Sequence, residues 1–241
     1  MTEQTTPTAH TKDTSAAPSA SVVSIGRPTI DDIQNGRRYL QTRGIGPDVV
    51  RAAEHQRTIS YSPGTVRFMG RDTYNRARLV TWLDFDYTST SAGFTMEGSD
   101  LSFPVIFSCS TNCVLIVETN MEALSFWTLA RAMHQEPPTI IVNSGATSGE
   151  LFKRAHVHGL LQQARKVIIV CERGQSIDEQ HQVNRKHLEQ QASVEAIIQN
   201  RDRVQLWCLQ NTRNVAGLMN TVAAGFRHAQ PVQLNVPRNQ A

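Results

Sequence analysis

VLIVETNMEALSF, residues 114–126, is a strand that runs straight into a helix. Four consecutive apolar residues, Val114 to Val117, offer no polar face, so the strand they predict is covered on both sides. It ends in a carboxylate, Glu118, and the helix-like segment Asn120 to Ser125 follows at once. Open α/β sheets bind their ligands at the carboxyl ends of their strands. Glu118 stands at such an end, with Glu122 one helical turn further on.

The same unit recurs downstream. Thr139 to Val142, Val167 to Val170 and Val204 to Leu209 are apolar runs of strand length. Helix-like stretches separate or follow them: Met121 to His134, Gly149 to Gln163, about Ile177 to Gln199, and Val215 to Phe226. Strand and helix alternating in this way predict an α/β fold, a parallel four-stranded sheet with helices on both faces.

Upstream the pattern is different. Ile30 to Leu40 and a segment opened by Pro47 and Asp48 read as two short helices, the second with Pro in its first turn. Thr58 to Tyr61, Thr65 to Met69 and Arg78 to Leu83 read as short strands divided by turn signals such as Ser62-Pro63-Gly64. The expected organisation is a disordered polar leader over 1–27, a small α+β module over 28–108, the α/β domain over 109–228 and a tail over 229–241.

Composition excludes several classes. With 39% hydrophobic and 19% charged residues over 241 positions the chain suits a soluble globular protein. No apolar run approaches the roughly 20 residues of a membrane span. The first 25 residues lack the apolar centre of a secretory signal, so the expected location is cytoplasmic. Cys109, Cys113, Cys171 and Cys208 lie in or beside predicted strands without zinc-ribbon spacing, and read as buried free thiols.

Charge is concentrated rather than large. The net formal charge is +3, yet residues 37–78 carry nine arginines against Asp48, Glu54 and Asp72. Arginine meets phosphate with a two-pronged fork, so Arg37, Arg38, Arg43, Arg67 and Arg71 are candidate nucleic-acid contacts. An arginine-favouring genome gives the same surplus, since lysine is scarce throughout. Tyr74 and Trp82 are the stacking candidates within this module, against the competing role of core packing. Phe126, Trp127 and Trp207 read as core.

Each predicted strand end offers polar groups. The second leads into Asn143-Ser144-Gly145-Ala146-Thr147-Ser148, whose backbone N–H groups and hydroxyls suit a phosphate or a helix cap. The third ends in Cys171-Glu172-Arg173-Gly174. Glu118 and Glu172 are therefore candidate oxygen ligands for Mg²⁺ across neighbouring strand ends. His156 and His158, two apart on a helix, point to different faces and make no metal pair.

VLIVETNMEALSF resembles the opening of a Toprim domain, the metal-binding fold of bacterial primases, topoisomerases and related plasmid proteins. NSGATSG, residues 143–149, resembles that family's Ser-Gly-rich turn, and KVIIVCERGQSIDEQ, residues 166–180, occupies the place of its Asp-x-Asp motif. LQNTRNVAGLM, residues 209–219, is similar to a late segment of Toprim-like proteins of plasmid mobilisation and replication. RRYLQTRGIGPDVV, residues 37–50, and MEGSDLSFPVIF, residues 96–107, are similar to the small module that precedes Toprim there. The resemblance spans about Gly36 to Ala223.

It implies a catalytic and metal role for Glu118, a metal role for Glu172, and a phosphate role for Ser144 and Gly145. The departures are specific. Thr119 replaces a glycine, Glu122 an Asp, and Gly174 supplies no second acid, while Arg173 opposes a cation. The resulting expectation is a DNA-associated protein of plasmid or mobile-element replication or mobilisation, with Mg²⁺-dependent catalysis weakened or lost. A relaxase or replication protein is the expected protein partner. The alternatives are an active Mg²⁺-dependent primase-like or nicking nucleotidyl-transfer enzyme, and a scaffold for a protein partner.

Overall fold

The structure, a computed structural model, describes residues 23, 25–85, 94–143, 150–172, 177–198 and 203–209. The expected final helix, the Ser144–Ser148 turn and the segment from 210 onward lie outside the described residues.

Helix α1, Ile30–Thr42, starts where a sequence signal says it should. Thr29 accepts from the Asp32 backbone N–H, and Asp32 accepts from the Thr29 N–H in return, a capping box. Helix α2, Pro47–His55, has its proline in the first turn and turns Val49, Val50 and Ala53 inward. Strands β1 (Ile59–Ser62), β2 (Thr65–Arg71), β3 (Ala77–Asp84) and β4 (Phe94–Thr95) form a four-stranded antiparallel sheet in that order.

Period-two alternation divides this sheet into two faces. Ile59, Tyr61, Val66, Phe68, Leu79 and Leu83 belong to the main core. The opposite face carries Met69, Ala77 and Val80, against which Val23 and Ile25 pack. The Val23 N–H donates to the Ala77 carbonyl at 3.1 Å, which joins residue 23 to the edge of β3.

The second sheet has five strands, in the order β5-β7-β6-β8-β9. Strands β6 (Ser110–Val117), β7 (Pro138–Val142), β8 (Lys166–Glu172) and β9 (Val204–Leu209) are parallel, as the apolar runs require. Strand β5, Val105–Phe107, is an antiparallel edge on β7, although its residues precede the expected boundary at 108. Leu115, Val117, Ile140, Val142, Ile168 and Val170 face helix α3, Asn120–Ala132, and the first module. Val114, Ile116, Ile141, Val167 and Ile169 face the helices of the other side.

Those helices are α4 (Glu150–Lys153), α5 (Ala155–Gln163) and α6 (Ile177–Ile198). The sequence predicts one helix over 149–163, and the structure breaks it at Arg154, whose backbone is extended. The break frees Arg154 to reach Asp100 at 2.9 Å and Ser102, and to lie over the Phe103 ring. Among the described residues no helix is long and apolar enough to cross a membrane.

One core runs through both sheets. Polar contacts fasten the junction. The Gly46 N–H donates to Thr128 Oγ1 at 3.1 Å, and Gln56 and the Ser108 backbone bond each other reciprocally. The Asn120 amide, at the start of α3, donates to Thr81 Oγ1 at 3.0 Å, which ties the middle of β3 to the carboxyl edge of the parallel sheet.

Candidate functional site

Strand β6 delivers Glu118 to the carboxyl edge, and the chain turns there into α3. Thr119 caps that helix by accepting from the Glu122 N–H at 3.2 Å. Glu122 completes the box. Its Oε2 accepts from the backbone N–H groups of Glu118 at 3.1 Å and Thr119 at 3.0 Å. This carboxylate is 7% exposed and faces its own backbone, so its place one turn after Glu118 serves the turn rather than a metal. Glu122→Ala is expected to cost about 1 kcal/mol in urea unfolding, while Glu122→Gln, which still accepts at N3, retains most of that stability.

Glu118 meets a cation. Its Oε1 lies 2.8 Å from the Lys186 ammonium of α6, and the two side chains are 26% and 39% exposed. Asn143 follows β7 at the same level. Val117 pairs with Val142, and the Asn143 N–H donates to the Val117 carbonyl at 2.8 Å. Asn143 is 2% exposed, and among the described residues neither its Oδ1 nor its Nδ2 has a hydrogen-bond partner. Asn120 Oδ1 is likewise buried without a partner among the described residues.

Glu172 closes β8, with its backbone in register with Leu209 of β9. Ile116 pairs with Ile169, and continuing that register puts Glu118 level with Cys171, one residue short of Glu172. Ser144 and Gly145 lie outside the described residues. Among the described residues no three of His, Cys, Asp and Glu gather as a metal-binding group. A Mg²⁺ ion prefers six oxygens in a near-ideal octahedron. Here one carboxylate faces its own backbone and the other holds an ammonium, so the described residues do not fit a divalent ion. Cys109 and Cys113 are half-buried free thiols, and burial pushes Cys109 up to about 11.

The arginines separate by what they touch. Arg37 forks onto Glu54 at 2.8 and 2.6 Å, and the Tyr61 hydroxyl donates to the same carboxylate at 2.6 Å. Burial works to raise the Glu54 carboxyl, and these donors outweigh it and hold it below the usual range. Gly36 makes this network possible, since a Cβ there would overlap the Tyr61 ring. Arg71 donates to the carbonyls of Arg57 and Asn75, bracing two residues with left-handed backbone, φ 57° and 62°. Both guanidinium groups are engaged in holding the module together.

Arg38 is exposed on α1, and Arg43 lies over the Tyr39 ring. Arg67 stands on the outer face of the antiparallel sheet in a row across all four strands. It pairs with Ser60 on one side and Trp82 on the other, and Trp82 pairs with Phe94. The Trp82 and Phe94 rings stack at 5.7 Å and 26°, and Phe94 is 44% exposed. Tyr74 at the β2–β3 turn is 78% exposed beneath the Arg76 guanidinium. Phe126 and Trp127 are core, as their sequence context predicts. Lys186 and Asn120 carry no signal in the sequence, because only the packing of α6 and α3 brings them to this edge.

No protein-family model matches the sequence, and no curated protein matches it. Solved structures do. A DnaG primase catalytic domain bound to ssDNA superposes with a TM-score of 0.54 at 13% identity, over 81% of this chain and 73% of that one. The Escherichia coli primase catalytic core gives 0.52 at 11%, over 81% and 73%. The primase fragment of the bacteriophage T7 primase-helicase protein gives 0.50 at 12%, over 84% and 82%. At such identities the likeness is one of fold, and the fold of this chain is that of primase catalytic cores, a Toprim-like α/β sheet preceded by a small α+β module.

Proposed function

We propose that this chain is a DNA-associated, primase-like protein of plasmid or mobile-element replication or mobilisation, with Mg²⁺-dependent catalysis weakened or lost. The observation that carries the nucleic-acid reading is the row Ser60, Arg67, Trp82, Phe94 on the outer face of the antiparallel sheet. A guanidinium beside stacked aromatic rings suits a single strand, because phosphate meets the charge and every base has a π-face to stack. Arg38 and Arg43 add charge on α1 and at its end. The weakened catalysis rests on Glu118, whose carboxylate is engaged by Lys186. Ser144 and Gly145 are assigned as phosphate positions and Glu172 as a metal remnant by their sequence motifs, and a relaxase or replication protein is the partner class.

Anisotropy of labelled single- and double-stranded DNA at 50 and 200 mM salt, with and without Mg²⁺, tests this. Single strands are expected to bind more tightly, and about four phosphate contacts would weaken by roughly 50-fold across that salt range. Arg67→Gln lowers the salt slope, and Trp82→Ala costs about 1–3 kcal/mol of affinity, as loss of one stacked base does. Salt-independent binding, or none, rejects the reading. DNA synthesis or nicking that requires Mg²⁺ and is lost in Glu118→Gln replaces it with an active enzyme.

A further inference from the structure

The carboxyl edge of the parallel sheet contains a cation of its own. By the alternation of β6 and β7, Glu118 follows Ile116 and Asn143 follows Ile141 onto the face that α6 covers. Lys186 comes from α6 and meets Glu118 there at 2.8 Å. The strands are neighbours, with Asn143 bonded through its backbone to Val117, so Glu118 and Asn143 stand about 5 Å apart along the edge.

Two observations point to a ligand at this place. The first is the ammonium, which has three donors and among the described residues spends one on Glu118 Oε1. The second is the Asn143 amide, 2% exposed with neither polar atom bonded among the described residues. A buried amide left unpaired is costly, and such groups are retained where something else satisfies them.

We propose that Lys186 is the resident cation of this site, standing against Glu118 in place of a divalent ion, and that with Asn143 it holds one phosphodiester of a nucleic-acid strand without Mg²⁺. The proposal rests on the nucleic-acid reading above. An ammonium carries half the charge of Mg²⁺, which matches the single charge of a phosphodiester better than the several charges of a nucleoside triphosphate. Glu118 then acts as a positioning residue that fixes the ammonium at the strand end.

Two measurements on the full chain test this. Mn²⁺ titration followed by water-proton relaxation is expected to show no binding that depends on Glu118. Manganese binding that disappears in Glu118→Gln overturns the proposal whatever happens with DNA. Anisotropy with labelled oligothymidylate is expected to give equal affinity in EDTA and in Mg²⁺. Lys186→Gln should weaken binding in both buffers and lower the salt slope by about 0.7–1, while Lys186→Arg keeps the slope. Asn143→Ala should weaken binding with the slope unchanged. Unchanged affinity in Lys186→Gln overturns the phosphate assignment while leaving the Arg67 and Trp82 surface standing. A wild-type chain that binds no oligothymidylate overturns both, and Mn²⁺ still reports separately on the ammonium.

Discussion

Gly70→Ala is expected to lower stability by about 3 kcal/mol or more, at the upper end of the cost of overpacking. Gly70 lies in β2 where its register with β3 shifts, and the chain at Phe103 and Pro104 passes directly against it. A Cβ would overlap the Phe103 carbonyl oxygen and approach Pro104 O to 2.9 Å. Both neighbours are backbone, so no side chain can swing away. Phe103 is itself held between the guanidinium groups of Arg78 and Arg154, at 5.3 and 3.9 Å from its ring. The segment leads straight into β5, so a shift here separates the two sheets. In thermal unfolding the variant should melt roughly 6–12 °C lower. Gly159→Ala is the matched control: it sits in α5 with open space around it, and should gain about 0.5–1 kcal/mol. Equal melting of Gly70→Ala and wild type would mean that β2 does not press on this segment.

How much of this junction the sequence discloses depends on distance along the chain. The runs at 114–117, 139–142, 167–170 and 204–209 are legible as parallel strands because an all-apolar strand has to be covered on both faces. The capping boxes at Thr29 and Thr119 are local chemistry, and they mark where α1 and α3 begin. Strand β5 is too short to show a period, and its pairing with β7 links residues more than 30 positions apart. The same holds for Val23, whose backbone bond to Ala77 draws the end of the leader onto the module.

The site was legible in its strand ends but not in its partners. Glu118 and Asn143 are placed by the strands that precede them, and the structure puts them side by side. Glu122 has the spacing of a second acid, yet the same spacing from Thr119 is that of a capping box, and the helix start claims it. Lys186 lies 68 residues beyond Glu118 in a polar helix, where nothing local sets it apart. The arginine surplus is also divided by tertiary structure: Arg37 and Arg71 close internal networks, while Arg67 stands in line with Trp82. A net charge by segment is thus an upper bound on what a surface offers to phosphate.

Trp82 and Trp127 should separate stability from binding. Trp127→Ala is expected to cost about 3–5 kcal/mol, the range for emptying a large buried aromatic site. The side chain is 1% exposed on the α3 face of the parallel sheet, edge-on to Phe107 at 5.9 Å. Its indole Nε1 is buried with no hydrogen-bond partner among the described residues. Burying an unpaired donor costs about 1–3 kcal/mol, so Trp127→Phe removes a penalty along with some volume. Phenylalanine should therefore recover at least half of the stability lost with alanine, as read from urea midpoints at constant m-value. Trp82→Ala should behave in the opposite way, unfolding close to wild type while losing affinity for single strands, since Trp82 stands on the outer face. If Trp82→Ala instead unfolded the chain and Trp127→Ala did not, the outer row would be core and the proposed strand-binding face would not exist.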